Sequence, residues 1–214
     1  MRIALFGASG ATGKLLTERC LAAGYTVTAL LRTPASFSYR DRVQTVEGNA
    51  FDPKAIEATL SGADAVLSAL GARSLKKEDV LERAIPLIVA AMERNGPKRI
   101  VALGSAGAEP TSLDKQAAWR RWFVQKIVYN TFLKYPVASQ IAQYKALSAS
   151  TLDWTMPMPP MLMNVDGRGL DKLRIDRDAL PRGASRISRV DVADFMMQQL
   201  TRSDYSRSGV YISW

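Results

Sequence analysis

The apolar run Arg2-Ile-Ala-Leu-Phe6 breaks without a spacer into Gly7-Ala8-Ser9-Gly10-Ala11-Thr12-Gly13. Leu15, Leu16, Arg19, Cys20 and Ala23 then recur at helical spacing, and Gly24 stops the helix. Val27 to Leu31 is the next strand-like run. Strand, glycine turn, helix and strand within about 30 residues is the βαβ unit. A glycine turn in that place has few uses. Gly7 permits the tight turn, Gly10 lets the backbone approach a ligand, and Gly13 lets helix and strand pack closely. Backbone N–H groups at a helix N-terminus with no side chains in the way suit a pyrophosphate. Gly7, Ser9, Gly10, Ala11, Thr12 and Gly13 are therefore candidate dinucleotide-binding residues, in the spacing G-x-x-G-x-x-G, a variant of G-x-G-x-x-G.

The alternation continues. Arg42–Glu47 reads as a strand, Asp52-Pro53 as the cap of a helix to about Leu60, and Ala65–Leu70 as a buried strand. A long amphipathic helix spans Glu78–Asn95, followed by a strand at Arg99–Leu103. Helices are expected over 117–133 and 137–149, and a strand at Trp154–Met158. Ser188 caps a helix over Val190–Leu200, with Asp191 as its capping-box partner, and Val210–Ile212 closes the chain as a strand. The pattern predicts an α/β fold: a Rossmann-type doubly wound, mostly parallel sheet in one domain over 1–214. Substrate-side elaborations are expected at about 107–150 and 160–188.

In such a sheet the C-terminal strand ends face the cofactor crevice. The second strand ends in Leu31-Arg32-Thr33, with arginine where an acid would bind the ribose hydroxyls of NAD. A planar guanidinium suits a 2′-phosphate, so the expected cofactor is NADP(H). The third strand ends in Gly48-Asn49-Ala50 beside the adenine, and the fourth in Ala69-Leu70-Gly71-Ala72-Arg73 beside ribose and phosphates. The fifth ends in Gly104-Ser105-Ala106-Gly107 near the nicotinamide, and the sixth in Met158-Pro159-Pro160-Met161. Gly104, Ser105, Met158 and Pro159 are candidate cofactor contacts. Ser105, Trp122 and Met161 are candidate substrate contacts.

Composition narrows the chemistry. With no histidine and one cysteine, the chain has no His-ligated zinc, no Ser-His-Asp triad and no internal disulfide, and no metal is expected. No tyrosine has lysine four residues later. Tyr144 is followed by Lys145 and, at i+4, Ser148, which disfavours alcohol dehydrogenation by a Tyr–Lys pair. Ser105 and Tyr144 remain the candidate catalytic hydroxyls. The net charge of +9 is scattered, as on a solvated basic surface or in a field around an anionic cofactor, and nucleic-acid binding ranks behind both. The segment from Trp119 to Tyr135 interleaves aromatics with Arg and Lys. It reads first as an amphipathic helix with its rings packed inward, and otherwise as a cap on the substrate crevice or a contact for nucleic acid or a membrane surface. Met156, Met158, Met161 and Met163 supply soft walls near the site, and Cys20 reads as inert core. No apolar run is long enough to span a bilayer, and a turn follows Phe6 where a signal peptide would need its apolar stretch. A cytoplasmic location is expected.

Taken together, the glycine loop, Leu31-Arg32, Ser68-Ala69-Leu70-Gly71, Gly104-Ser105-Ala106-Gly107, Leu152-Asp153-Trp154-Thr155, Pro159-Pro160 and Ser185–Ala193 resemble an atypical short-chain dehydrogenase/reductase. The likeness is to the biliverdin IXβ reductase/flavin reductase group and its NmrA-like relatives, over nearly the whole chain. The resemblance implies NADP(H) binding, with Arg32 on the 2′-phosphate, Asn49 and Ala50 at the adenine, Leu70, Gly71 and Arg73 along the cofactor, and Ser105 beside nicotinamide and substrate. It implies hydride transfer to a small planar acceptor: a flavin, quinone or tetrapyrrole. Four positions depart from the group's pattern: Asn49 replaces an aspartate, Met158 an arginine, Met161 a histidine, and Ser36 a second basic residue. A non-enzymatic NmrA-type NADP sensor is the main alternative, and epimerase or dehydratase chemistry a weaker one. The sequence leaves monomer and homodimer both open.

Overall fold

The computed structural model describes residues 1–72, 74 and 76–214. The first half alternates as the periodicity predicts: β1 (Arg2–Phe6), α1 (Ala11–Ala22), β2 (Thr26–Leu31), β3 (Gln44–Glu47), α2 (Pro53–Leu60), β4 (Ala65–Ser68), α3 (Val80–Asn95) and β5 (Arg99–Ala102). The second half contains α4 (Ala118–Phe123), α5 (Lys134–Ala149), β6 (Asp153–Met158), β7 (Met161–Met163), β8 (Arg174–Asp176), β9 (Arg186–Ser188), α6 (Arg189–Gln199) and β10 (Ser208–Ser213). Eight strands form one sheet in the order β3-β2-β1-β4-β5-β6-β10-β8. Every pairing in it is parallel except β10 with β8 at the edge. The short strands β7 and β9 pair separately.

The sheet is covered on both faces, so its central strands carry apolar residues at successive positions. Alternate side chains enter opposite layers. Ile3, Leu5, Val27, Ala29, Leu67 and Val101 pack under α1 and α6. Ala4, Phe6, Leu30, Val66, Ile100 and Trp154 pack under α2, α3 and α5. Cys20 is buried in the first layer, where burial lifts its thiol to about 12 and keeps it protonated.

Caps set the helix ends. The Asp52 carboxylate accepts the Lys54 N–H at 2.9 Å with Pro53 at the first position, as the sequence predicts. Ser188 caps α6 by accepting the Val190 N–H at 3.1 Å. The expected capping box does not form. The buried Asp191 carboxylate instead accepts the N–H groups of Arg168 and Gly169, each at 2.9 Å, and the Trp214 indole N–H at 2.7 Å. It ties the loop before β8 and the last residue to the start of α6. The helix expected over 117–133 is also different. After α4, residues Val124–Phe132 widen into a π-helical stretch that leads into α5, which starts three residues earlier than the spacing suggests.

Gly7 and Gly13 close the turn after β1. Gly7 has φ +81°, and a Cβ there would lie 2.6 Å from the Ala69 carbonyl carbon. A Cβ on Gly13 would overlap the Gly7 carbonyl oxygen and sit 2.8 Å from the Ala8 Cα. Both obstacles are backbone, which cannot swing aside. Gly13→Ala is therefore expected to destabilise the protein by ~1–3 kcal/mol. Thermal denaturation followed by circular dichroism checks this, at roughly 2–4 °C per kcal/mol for a chain of this size.

Candidate functional site

The order of the sheet reverses at β1, which lies between β2 and β4. A crevice opens outside the carboxyl ends of strands at such a switch point. Here it is a cavity of about 650 Å³. The glycine loop forms its floor through Gly7, Ser9 and Gly10, and the end of β2 brings Leu31 and Arg32. The end of β3 contributes Asn49, Ala50 and Phe51, and the end of β4 contributes Leu70, Gly71 and Ala72. The parallel strands thus collect residues from four chain segments at one edge.

The loop is open where a phosphate would need it to be. At Gly10 the nearest atom to a Cβ is the Gly7 carbonyl oxygen at 3.4 Å, so nothing inside the protein requires glycine there. Gly10 is also the N-cap of α1; no side chain caps the helix, and no acid lies in its first turn. The first N–H groups of the helix are left for a ligand, and the helix dipole favours an anion there. Arg32 is exposed at the cavity wall and makes no hydrogen bond or ion pair among the described residues. Asn49 has a structural task as well: its Oδ1 accepts the Phe51 N–H at 2.7 Å and shapes the turn. The guanidinium of Arg83 stacks on the Phe51 ring at 4.2 Å and holds this apolar wall. These donors, this uncapped helix end and this unpaired guanidinium fit a dinucleotide phosphate chain.

A second cavity of about 400 Å³ shares Ala69, Leu70, Gly71 and Ala72 with the first. Its far side is Leu103, Gly104 and Ser105 from the end of β5, Leu162 of β7, and Tyr129, Leu133, Pro136, Val137 and Gln140 from the helical stretch opposite. The lining is mostly apolar. Ser105 is half-buried, and its hydroxyl has no hydrogen-bond partner among the described residues. Burial pushes the Tyr129 phenol up, against a smaller opposing pull from a hydrogen bond with Ser112, so it stays protonated near neutral pH. Gln143 donates from Nε2 to the Leu103 carbonyl at 2.9 Å and to Gln140 Oε1 at 3.2 Å, which orients Gln140 at the cavity wall.

Residues 7–203 match the model of the NAD(P)H-binding family. The chain belongs to that family. Among solved structures, the fold is similar to a Burkholderia pseudomallei protein at 27% identity, with both chains fully covered and a TM-score of 0.80. It is also similar to ChuY, an anaerobilin reductase from Escherichia coli O157:H7, at 19% identity, covering 100% of this chain and 97% of that one with a TM-score of 0.79. A short-chain dehydrogenase/reductase from Veillonella parvula in complex with NADP matches at 19% identity over 100% of this chain and 94% of that one, with a TM-score of 0.77. The fold is similar to that of the Veillonella short-chain dehydrogenase/reductase, in line with the resemblance carried by the sequence motifs.

Not every candidate residue reaches the two cavities of this NAD(P)H-binding fold. Met158 and Pro159 are buried behind the wall; Met158 is part of the core, and the Pro159 carbonyl accepts the Ala106 N–H at 2.9 Å. Met161 points outward with 59% exposure, and its neighbour Leu162 faces the second cavity instead. Trp122 is 60% exposed on α4 and lines neither cavity. Tyr144 is a packing residue: its ring meets Trp154 edge-on at 5.7 Å, and burial, then Glu109, lifts its phenol to about 12. Arg73 lies outside the described residues. Sequence reasoning missed Phe51, Tyr129, Gln140 and Leu162. Phe51 adjoins the named Asn49-Ala50 pair, whereas the π-helical widening hides which face of its segment carries Tyr129.

Gly10→Val tests the loop directly. The variant should keep its circular dichroism spectrum and lose nicotinamide-dinucleotide binding by roughly a hundredfold or more, the worth of about two charge-assisted hydrogen bonds. Titration by cofactor fluorescence reads the loss, and tight binding by a folded variant would remove the loop from the site.

Proposed function

We propose that the protein is an NADPH-dependent reductase that passes hydride to a planar conjugated acceptor: a flavin, quinone or linear tetrapyrrole. The observation that carries this reading is the pair of cavities sharing the Leu70–Gly71 wall, one floored by an anion-ready glycine loop and the other mostly apolar. When bound, NADPH supplies a hydride from its nicotinamide ring. The chain's part is to bind and orient. Gly7, Gly10 and the first turn of α1 would hold the pyrophosphate, Arg32 the 2′-phosphate, and Asn49, Ala50 and Phe51 the adenine side. Leu70 and Gly71 would carry the cofactor towards Ser105.

The acceptor cavity favours flat, apolar, electron-poor molecules. Leu103, Leu133, Val137 and Leu162 give it apolar walls, and Ser105, Tyr129 and Gln140 are its hydrogen-bonding groups. An acceptor whose reduced form takes its proton from water needs no protein acid. Chemistry on an ordinary alcohol or ketone would need a phenol with a lysine at i+4, and Tyr129 has Leu133 there while Tyr144 has Ser148.

Arg32→Ala should weaken NADP(H) binding by roughly tenfold to over a hundredfold, equivalent to ~1.5–3 kcal/mol, and leave NAD(H) binding unchanged. Isothermal titration of both cofactors decides it; equal affinities in the wild type would end the case for NADP(H).

NADPH oxidation with FMN and quinone acceptors should persist in Tyr144→Phe. Ser105→Ala should lower it by roughly two- to tenfold, the worth of one neutral hydrogen bond of ~0.5–1.5 kcal/mol. A loss of ~1000-fold in Tyr144→Phe would instead assign that phenol a proton-transfer step. Tight NADPH binding with no turnover on any flavin, quinone or tetrapyrrole would point to a cofactor-binding sensor.

A further inference from the structure

From α4 to the first turn of α5 most of the aromatic rings point outward, where the sequence suggests rings packed inward. Trp119 is 73% exposed, Trp122 60%, Phe123 47%, Phe132 59% and Tyr135 42%. With Ile127 they account for six of the ten exposed large apolar side chains among the described residues. Trp119, Trp122, Phe123 and Ile127 recur at three- and four-residue spacing and form one outward stripe. A cluster of exposed aromatics of this kind marks an interaction surface.

The charge carried by the segment itself has one sign. From Lys115 to Leu152 the chain has six basic residues and no Asp or Glu. Two of the six are committed to the fold: Lys115 pairs with Asp176 at 2.5 Å, and Arg120 donates to the Ala184 carbonyl at 2.6 Å. Arg121 is only loosely paired with Asp114, at 3.7 Å. Lys126 and Lys134 have no carboxylate partner among the described residues and flank the exposed rings.

We propose that this face docks on an anionic lipid bilayer. Tryptophans beside unpaired lysines on a helical stretch suit the headgroup boundary, where the ring is buried and the indole N–H stays wet. No helix among the described residues is long and apolar enough to cross the membrane, so the segment lies on the surface. Two copies meeting through this face would oppose like charges, and a convex helix offers no groove for a nucleic-acid strand. The inner side of the same segment, through Tyr129 and Leu133, is a wall of the 400 Å³ cavity. Docking therefore sets that cavity against the lipid phase. The inference stands whether or not the reductase reading holds.

The test is co-sedimentation of the full chain with vesicles of phosphatidylcholine alone, or mixed with phosphatidylglycerol, together with tryptophan emission. Binding to the anionic vesicles is expected to be on the order of tenfold or more the stronger, with a blue shift, and to weaken with salt. Trp119→Ser combined with Phe123→Ser should abolish the shift, and Lys126→Glu combined with Lys134→Glu should abolish the preference for anionic lipid. Cofactor titration confirms that both variants are folded. Equal or absent binding to the two vesicle types would overturn the proposal, as would binding that both double variants retain. Quenching of the same tryptophans by single-stranded DNA without vesicle binding, or their protection in a concentration-dependent dimer, would assign the face elsewhere.

Discussion

The contact of Gly13 with the Gly7 carbonyl, and of Gly7 with the Ala69 peptide, sets the spacing of everything above the sheet. All the atoms involved are backbone, so the distance between the end of β1, the start of α1 and the end of β4 cannot relax around a side chain. This close approach points α1 at the crevice with its first N–H groups free. It also places Ala69–Ala72 as a thin partition between two cavities. A bulkier turn would push β4 away and merge or close them.

Given that partition, each cavity has a distinct character. The larger one carries the polar loop, the uncapped helix end and Arg32, a set of donors and one cation that suits an anion. The smaller one is walled by aliphatic side chains with a few hydrogen-bonding groups spaced around it. Such a site can impose flatness and orientation more readily than it can move protons. The burial-raised phenol of Tyr129 reinforces this, because a neutral phenol donates a hydrogen bond without ionising.

Much of the doubly wound half was legible because its signals are local. Every residue of β4 and β5 is buried, and residues 65–67 and 100–102 read directly as apolar runs, while the Asp52-Pro53 cap is set within two residues. The three-residue strands β7, β8 and β9 were not legible, since partners distant in the chain stabilise them. Asp191 shows the same limit: three long-range donors outcompete the local capping box. In the aromatic segment both helical faces carry apolar residues, Val124 and Tyr129 inward and Trp119 and Trp122 outward. Periodicity alone could not say which face meets the protein. At the site, Arg32 and the glycines stood out because phosphate recognition needs those residue types. Leu162 and Gln140 lie where the tertiary fold brings them and leave no motif.

On the proposed function, one dinucleotide spans the partition, with its phosphates on the glycine loop and its reactive ring at Ser105. A crystal structure of the protein with NADP⁺ measures this directly. The expected result is pyrophosphate density over Gly10 and the first turn of α1, the 2′-phosphate on Arg32, and the nicotinamide beside Ser105 facing the second cavity. A nucleotide bound with its 2′-phosphate away from Arg32, or with its nicotinamide outside the Ser105 cavity, would contradict it.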